Sequence, residues 1–271
     1  MLVIVLFLCL LTCTVIADYV YTDEVYEKRA NEIAKYESLN ADPHTIYSGY
    51  TVEALGDGYD NPQSLFGNVQ INVPLINQFP ELPVGCEIVC ATSVLQYLGF
   101  EIDKVTMATD FFDCDNNFTI DDNRNSYGPD PRKIFAGDPF SWGYGCFADV
   151  VANAMNKYFV SAESEYKALT LYNINSADIE KLIDEGVPII VWATQDMKPF
   201  NYRKPAQWYI NGTDEVYEWL GNSHTLVLCG YDNVCYYFMD CNNKDDITPY
   251  VKSSFLNRFD DAGLQCVVVK K

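Results

Sequence analysis

The amino-acid sequence predicts an α+β domain in which helices come before an antiparallel sheet. Between residues 86 and 186, three segments carry apolar side chains at helical spacing. From residue 187 onward, short β-branched and aromatic runs dominate, and two of them are separated by a short turn. Helices followed by antiparallel strands are typical of the α+β class, in which the helices pack on the sheet.

The helices can be placed in order. The first spans residues 86–98 with one apolar stripe, and Gly99 is the expected C-terminal stop. The second helix covers about residues 147–158. The third begins after Asn175 as N-cap and ends at Gly186.

The strands follow from buried β-type runs. Asp232-Asn233 predicts a two-residue hairpin turn between two of these runs. The strands are expected at residues 187–194, 225–231, 234–240 and 264–270.

The first residues are typical of a secretory signal peptide. An apolar run of about ten residues ends in small residues up to Ala17, and it is shorter than the roughly 20 residues that span a bilayer. We expect residues 1–17 to be cleaved and the mature protein to be secreted, with no membrane association. Residues 18–68 are predicted to be an N-terminal extension with one amphipathic helix, either packed on the domain or acting as an inhibitory pro-segment. Residues 69–271 are the main domain.

The net charge and the cysteine content restrict which partners the protein can bind and in which compartment it folds. The net charge of −20 disfavours nucleic acid and anionic membrane surfaces. Eight cysteines remain after the signal peptide: Cys86, Cys90, Cys114, Cys146, Cys229, Cys235, Cys241 and Cys266. In an oxidising compartment most of them are expected to form disulfides.

Metal-dependent hydrolysis is not supported by the motifs. The chain has two histidines, His44 and His224, and no HExxH. The acidic loop after residue 112 has Phe118 and Arg124 where a calcium loop needs Gly and Glu. We therefore expect no metal and no cofactor.

Cys86 is the candidate nucleophile. It follows Gly85 and begins the first helix, where unpaired N–H groups and the helix dipole lower a thiol pKa, although Glu87 acts in the opposite direction. By residue type alone, such a cysteine is more often half of a disulfide. Cys90, one helical turn further, is expected to be buried, reduced and dispensable.

His224 and Asp240 complete a candidate triad. The predicted hairpin brings Thr225 and Asp240 together, so the carboxylate can orient one imidazole nitrogen while the other faces a thiol. Gln78, eight residues before Cys86, is a candidate donor to an oxyanion, jointly with the Cys86 N–H. The four tryptophans, Trp142, Trp192, Trp208 and Trp219, either line a cleft or fill the core.

The sequence also resembles a known family. VPLINQFPELPVGCEIVCATSVLQYLG is similar to the nucleophile region of the double-glycine (bacteriocin-processing) peptidase-like family, a papain-like branch of cysteine peptidases. GPDPRKIFAGDP, GYGCFADVVANAMN, GVPIIVW, SHTLVLCGYD and the strand end MD match in the same order. The resemblance covers about residues 69–243. The family usually has Asp-Pro where this chain has Asp240-Cys241.

The resemblance implies a papain-like fold with the nucleophile-bearing helix packed on an antiparallel sheet. It implies a Cys86-His224-Asp240 triad, Gln78 as oxyanion donor, and a peptide or protein substrate cleaved through a thioester. Two alternatives remain. One is a non-catalytic secreted binding module on this fold, and the other is an acyltransferase that uses an amine acceptor.

Overall fold

A computed structural model describes residues 69–243 and 247–271. The predicted signal peptide, the N-terminal extension with its helix, and His44 lie outside the described residues. No helix in the described part is both long and apolar enough to cross a bilayer.

The helices and strands follow one another along the described chain. The longer helices are α1 Cys86–Tyr97, α2 Ala148–Ser161, α3 Ser176–Asp184 and α4 Lys252–Asp261, and shorter helical segments are Lys104–Thr106, Met107–Phe111 and Gln195–Met197. The strands are β1 Val69–Gln70, β2 Cys114–Asp115, β3 Thr119–Ile120, β4 Ser126–Gly128, β5 Phe135–Gly137, β6 Gly143–Gly145, β7 Lys167–Tyr172, β8 Ile189–Thr194, β9 Asn201–Ile210, β10 Val216–Gly221, β11 Ser223–Tyr231, β12 Cys235–Met239, β13 Thr248–Val251 and β14 Gln265–Lys270.

The main sheet has the order β13-β12-β11-β8-β14-β7, and β1 pairs with β11. Every pairing in this sheet is antiparallel. Helix α1 packs against β11, and α2 packs against β7 and β14. The α+β class and the packing of the N-terminal helix on an antiparallel sheet are confirmed. Two smaller sheets, β10-β9-β4-β3 and β2-β5-β6, complete the fold.

The three predicted helices are present because their local signals agree with the tertiary packing. Residues Ile88 to Leu95 of α1 are all buried, and Gly99 follows with a φ of 89°, a left-handed conformation that glycine adopts without strain. Helix α3 has the expected capping box between Asn175 and Asp178. Helix α4 was not predicted, although Phe255 and Phe259 form a buried i, i+4 pair on it.

The structure does not show the expected disulfides. No disulfide joins any of the eight cysteines in the described part of the chain. Cys90, Cys146, Cys229, Cys241 and Cys266 are fully buried, where a thiol packs as a small apolar group. Burial inside one core, rather than pairing across loops, therefore accounts for their positions, and it confirms the prediction that Cys90 is buried.

Candidate active site

Cys86 is the first residue of α1, and the turn before it is tightly packed. A Cβ on Gly85 would lie 2.8 Å from the Cβ of Leu82, so the chain can enter the helix here only with glycine. The Gly85 N-cap has no side-chain capping bond. The first N–H groups of α1 thus lack side-chain caps, as an oxyanion site at a helix N-terminus requires.

Helix α1 rests on β11 at Thr225, the residue after His224. The backbone N–H of Thr225 is near enough to the Cys86 Sγ to favour its ionised form, and the Cys90 thiol donates to the Thr225 carbonyl at 3.3 Å. Cys86 and Cys90, one helical turn apart, therefore both lie beside Thr225. This contact places the candidate nucleophile beside the strand residue that follows the candidate base.

The Cys86 thiol itself is hydrogen-bonded to Glu87. Its Sγ lies 3.3 Å from Glu87 Oε2, and Glu87 Oε1 accepts the backbone N–H of Cys146 at 3.0 Å. A Cβ on Gly145 would lie 2.2 Å from this same Oε1, so glycine at 145 makes room for the carboxylate. The structure therefore brings Cys86 to Thr225 and Glu87, whereas its thiol hydrogen bond does not go to His224.

The expected low pKa of Cys86 is wrong for this arrangement. Burial raises the pKa of the thiol well above its usual value, and the charge of Glu87 adds to the effect. Burial likewise raises the pKa of Glu87, against the hydrogen bond from Cys146. The dipole of α1 acts in the other direction but does not compensate for these two contributions. The resting nucleophile is thus a protonated thiol.

Replacing Glu87 with glutamine should make Cys86 ionise at lower pH. The amide keeps an acceptor for the Cys146 N–H but removes the negative charge that opposes a thiolate. The titratable groups near this carboxylate are the His224 imidazole and the thiols of Cys86, Cys90, Cys114 and Cys146. We expect the pH midpoint of Cys86 alkylation by iodoacetamide, followed by peptide mapping, to fall in Glu87→Gln.

The control for this experiment is Glu101→Gln, which removes one negative charge at an exposed position. It should leave the midpoint where it is in the unaltered protein. An unchanged or higher midpoint in Glu87→Gln would contradict the role of this carboxylate.

His224 and Asp240 form a buried pair. His224 Nε2 lies 2.8 Å from Asp240 Oδ1, and the two residues are 2% and 5% exposed. Asp240 also accepts the backbone N–H of Asn242 at 2.9 Å and the hydroxyl of Tyr250 at 3.3 Å. The carboxylate is thus held by three donors, which leaves imidazole Nδ1 as the nitrogen available to a thiol.

The charge states of the pair follow from these contacts. Burial opposes the imidazolium of His224, whereas the charge of a Cys241 thiolate and the hydrogen bond and charge of Asp240 raise its pKa. Burial also opposes ionisation of Asp240, yet its hydrogen bonds lower the pKa of the carboxyl. Burial raises the pKa of the Cys241 thiol well above its usual value, so Cys241 supplies no charge at neutral pH. Asp240 is then the anionic partner of His224, and the pKa of the imidazole lies below the value that a Cys241 thiolate would impose.

A bulge in β11 makes this pairing possible. The two turn residues are Asn233 and Val234, because the Asp232 N–H donates to the Cys235 carbonyl at 2.9 Å. The turn therefore lies one residue later than the predicted Asp232-Asn233 turn. Tyr231 pairs with Tyr236, but after a register shift between Leu228 and Gly230 the last pair is Val227 with Met239. The predicted register, with Asp240 opposite Thr225, is therefore wrong by one residue.

Gln78 is held by Cys241 and Pro83. Its backbone N–H donates to the Cys241 carbonyl at 3.0 Å, and its Oε1 accepts the Cys241 thiol at 3.1 Å. Its Nε2 donates to the Pro83 carbonyl at 3.0 Å. Since an amide NH2 carries two hydrogens, one donor remains for another acceptor. Sequence reasoning missed the role of Cys241, and its place directly after Asp240 was the available signal.

The tryptophans mostly belong to the interior. Trp192, Trp208 and Trp219 are buried, whereas Trp142 is 52% exposed. The core interpretation is confirmed for Trp192 and Trp208, whereas Trp219 also lines a pocket.

The donor atoms of His224, Asp240 and Cys241 lie within 4.8 Å of one another. Nitrogen, oxygen and sulfur donors of this kind suit Zn²⁺. The fit is poor, however, because His224 Nε2 and Asp240 Oδ1 are already hydrogen-bonded to each other at 2.8 Å. No step of the chemistry below involves a metal.

Thr225 carries a buried hydroxyl, Oγ1, with no hydrogen-bond partner among the described residues. Leaving such a group unpaired costs about 1–3 kcal/mol. We expect Thr225→Val, which keeps the shape and removes the hydroxyl, to raise the free energy of unfolding by about 1 kcal/mol. Urea unfolding followed by circular dichroism measures this.

Thr92→Val is the matched control, since the Thr92 hydroxyl is also buried but donates to the Ile88 carbonyl at 2.8 Å. The free energy of unfolding of Thr92→Val should not exceed that of the parent protein. A Thr225→Val protein less stable than the parent would show that the hydroxyl has a partner.

The sheet, the helix that begins at a cysteine and the buried histidine–carboxylate pair together define a papain-like fold. The family model named Peptidase_C39 like family matches residues 70–267. The chain belongs to this family, and membership supports a peptidase function in general.

The chain is also similar to individual proteins. The uncharacterized protein YvpB of Bacillus subtilis (strain 168) is 26% identical over 212 residues, which cover 74% of this chain and 76% of YvpB. A crystal structure described as a C39-like peptidase from Bacillus anthracis has a TM-score of 0.64 and 24% identity, covering 75% of this chain and 98% of that one. A double glycine motif protease from an AMS/PCAT transporter, solved with its leader peptide, has a TM-score of 0.42 and 18% identity, covering 74% and 94%.

Proposed function

We propose that the protein is a secreted cysteine hydrolase that cleaves peptide or related amide bonds. Cys86 is the nucleophile, His224 the general base, Asp240 the residue that orients the histidine, and Gln78 the oxyanion donor. The observation that carries the proposal is the buried His224–Asp240 pair at 2.8 Å. His224 lies on β11, and the helix that begins at Cys86 packs on this strand.

The reaction begins from a neutral thiol and a neutral imidazole. Cys86 leaves its hydrogen bond to Glu87, its proton passes to His224 Nδ1, and Asp240 stabilises the imidazolium. The thiolate sulfur attacks the scissile carbonyl carbon, and the oxygen takes the negative charge. Gln78 Nε2–H and the Cys86 N–H donate to that oxygen.

Collapse of the tetrahedral intermediate breaks the C–N bond. His224 returns its proton to the leaving amine, and a thioester to Cys86 remains. Water then loses a proton to His224 and attacks the thioester, which releases the acid and restores the thiol. No cofactor takes part in these steps.

A pocket beside β10 and the start of β11 suits an apolar substrate side chain. It has a volume of about 120 Å³ and is walled by Phe147, Tyr217 and Trp219, and its lining also includes Ser223 and the carboxylates of Glu218 and Asp261. Ser223 precedes His224 in β11. The Trp219 ring also approaches Gly145, where a Cβ would lie 3.4 Å from it. We propose that this pocket receives a side chain of the peptide near the scissile bond.

Product analysis tests the proposed function. The recombinant protein is incubated with a mixed peptide library, and new termini are identified by mass spectrometry, with and without a primary amine in excess. Free carboxyl products at all amine concentrations support the hydrolase. Amide products with the added amine would instead indicate an acyltransferase, and an unchanged library would indicate a binding module.

Secretion is tested separately by N-terminal sequencing of the protein expressed with residues 1–68. A mature terminus at Asp18 supports a signal peptide that ends at Ala17. An uncleaved chain retained inside the cell would contradict it.

A further inference from the structure

The buried thiol of Cys241 is not used in the mechanism above, yet it lies at the centre of the site. It directly follows Asp240 at the end of β12, and it is 0% exposed. Its S–H donates to the Gln78 amide oxygen at 3.1 Å, and its sulfur lies within 4.8 Å of the donor atoms of His224 and Asp240. It is also near enough to the Cys86 and Cys90 thiols to interact with them electrostatically.

Cys241 holds Gln78 at two points. The Gln78 N–H donates to the Cys241 carbonyl at 3.0 Å, and the Cys241 S–H donates to Gln78 Oε1. The backbone bond places the residue, while the thiol bond determines which end of the side-chain amide faces Cys241. A thiol that donates here requires the carbonyl end, so the NH2 end must lie on the other side.

The second restraint on the amide comes from Pro83. Gln78 Nε2 donates one hydrogen to the Pro83 carbonyl at 3.0 Å, in the turn that leads to Cys86. With the oxygen held by Cys241 and one hydrogen held by Pro83, the direction of the remaining N–H is determined. Gln78 is 5% exposed, so water cannot replace either restraint at low cost.

We infer that Cys241 is a positioning residue that orients the Gln78 amide so that its second N–H donates to the oxyanion of the acyl-transfer intermediate. The inference rests on the proposed function and deepens it. Without the thiol, Oε1 is buried without a donor, and the amide can rotate away from the oxyanion.

The test is a double-mutant cycle on purified protein with a peptide substrate found in the library experiment. Cys241→Ala should lower kcat by about ten- to a hundredfold with little change in KM, because the lost interaction is made in the transition state. Cys241→Ser, which keeps a donor, should recover most of that loss. In a Gln78→Ala background, Cys241→Ala should cause less than about a twofold further decrease in kcat.

Cys266→Ala is the matched control, since Cys266 is equally buried but lies in β14. Its kcat should equal that of the parent. If Cys241→Ala does not fold, as judged by circular dichroism, Cys241→Val fills the volume without a donor and takes its place in the cycle.

Three results would overturn the inference: an unchanged kcat in Cys241→Ala, a serine variant as slow as the alanine variant, or losses that multiply fully in the double mutant. Each of these leaves the proposed function intact. A parent protein that cleaves no peptide overturns the proposed function and the inference with it.

Discussion

Replacing Cys86 with alanine is expected to abolish peptide hydrolysis, with a decrease in kcat of at least about a thousandfold. The alanine variant has no sulfur to form the thioester, and the other thiols near the site cannot replace it. Cys90 donates to the Thr225 carbonyl and is fully buried, and Cys241 donates to Gln78. Initial rates on a cleaved library peptide provide the measurement.

Cys90→Ala is the control for this variant. It removes a thiol one turn further along α1, on the same face, without removing the proposed nucleophile. Most of the activity should remain, and limiting iodoacetamide should still label Cys86. Loss of activity in a folded Cys90→Ala protein, or a Cys86–Cys90 disulfide that cycles with turnover, would indicate thiol redox chemistry rather than hydrolysis.

The second large effect is expected at the histidine. His224→Ala removes the proton acceptor and should lower kcat at least about a thousandfold, whereas Asp240→Asn should lower it by about ten- to a hundredfold. The asparagine oxygen can still accept a hydrogen bond from Nε2. It lacks the charge that supports the imidazolium, so the pKa of His224 should fall.

Proton NMR can follow this pKa because the chain contains two histidines, His44 and His224. The resonance that disappears in His224→Ala is assigned to His224 and then titrated in Asp240→Asn. The expected direction is toward lower pH. Full activity in both variants would make the hairpin purely structural, and a His224 pKa that does not fall in Asp240→Asn would contradict the role of the carboxylate.

Much of the helical framework could be predicted from local signals. Helix α1 begins at Cys86 and stops before Gly99, and α3 is capped by Asn175. These features depend on neighbouring residues alone, so the sequence contains the information for them. The short strands β2 to β6 were not predicted, since none exceeds three residues and their pairing depends on distant partners.

The positions of the thiols were decided by the tertiary structure. Sequence composition suggested disulfides and a low pKa at Cys86, but both expectations required knowledge of burial. In the fold, Glu87 is enclosed beside Gly145 and raises the pKa of Cys86 together with burial. The position of Cys86 at the start of a helix predicts the direction in which the helix dipole shifts the thiol pKa. The desolvation of the thiol depends instead on every element packed around the side chain.

The clearest division between sequence and tertiary structure concerns Asp240. The sequence by itself determined that a hairpin returns Asp240 toward His224, because β-type runs flank a turn. It did not determine the register. Two strands paired from the observed turn without a bulge would place Asp240 opposite Val227, on the face away from His224, since neighbouring side chains alternate between faces.

The extra residue in β11 changes this outcome. After the register shift between Leu228 and Gly230, Val227 pairs with Met239, and Asp240 comes opposite Leu226, which shares a face with His224. Pairing with β8 and then with β1, along the edge opposite β12, holds β11 in that register. The residue types for a triad are therefore present in the sequence, but only the packed sheet places the carboxylate and the imidazole on the same face.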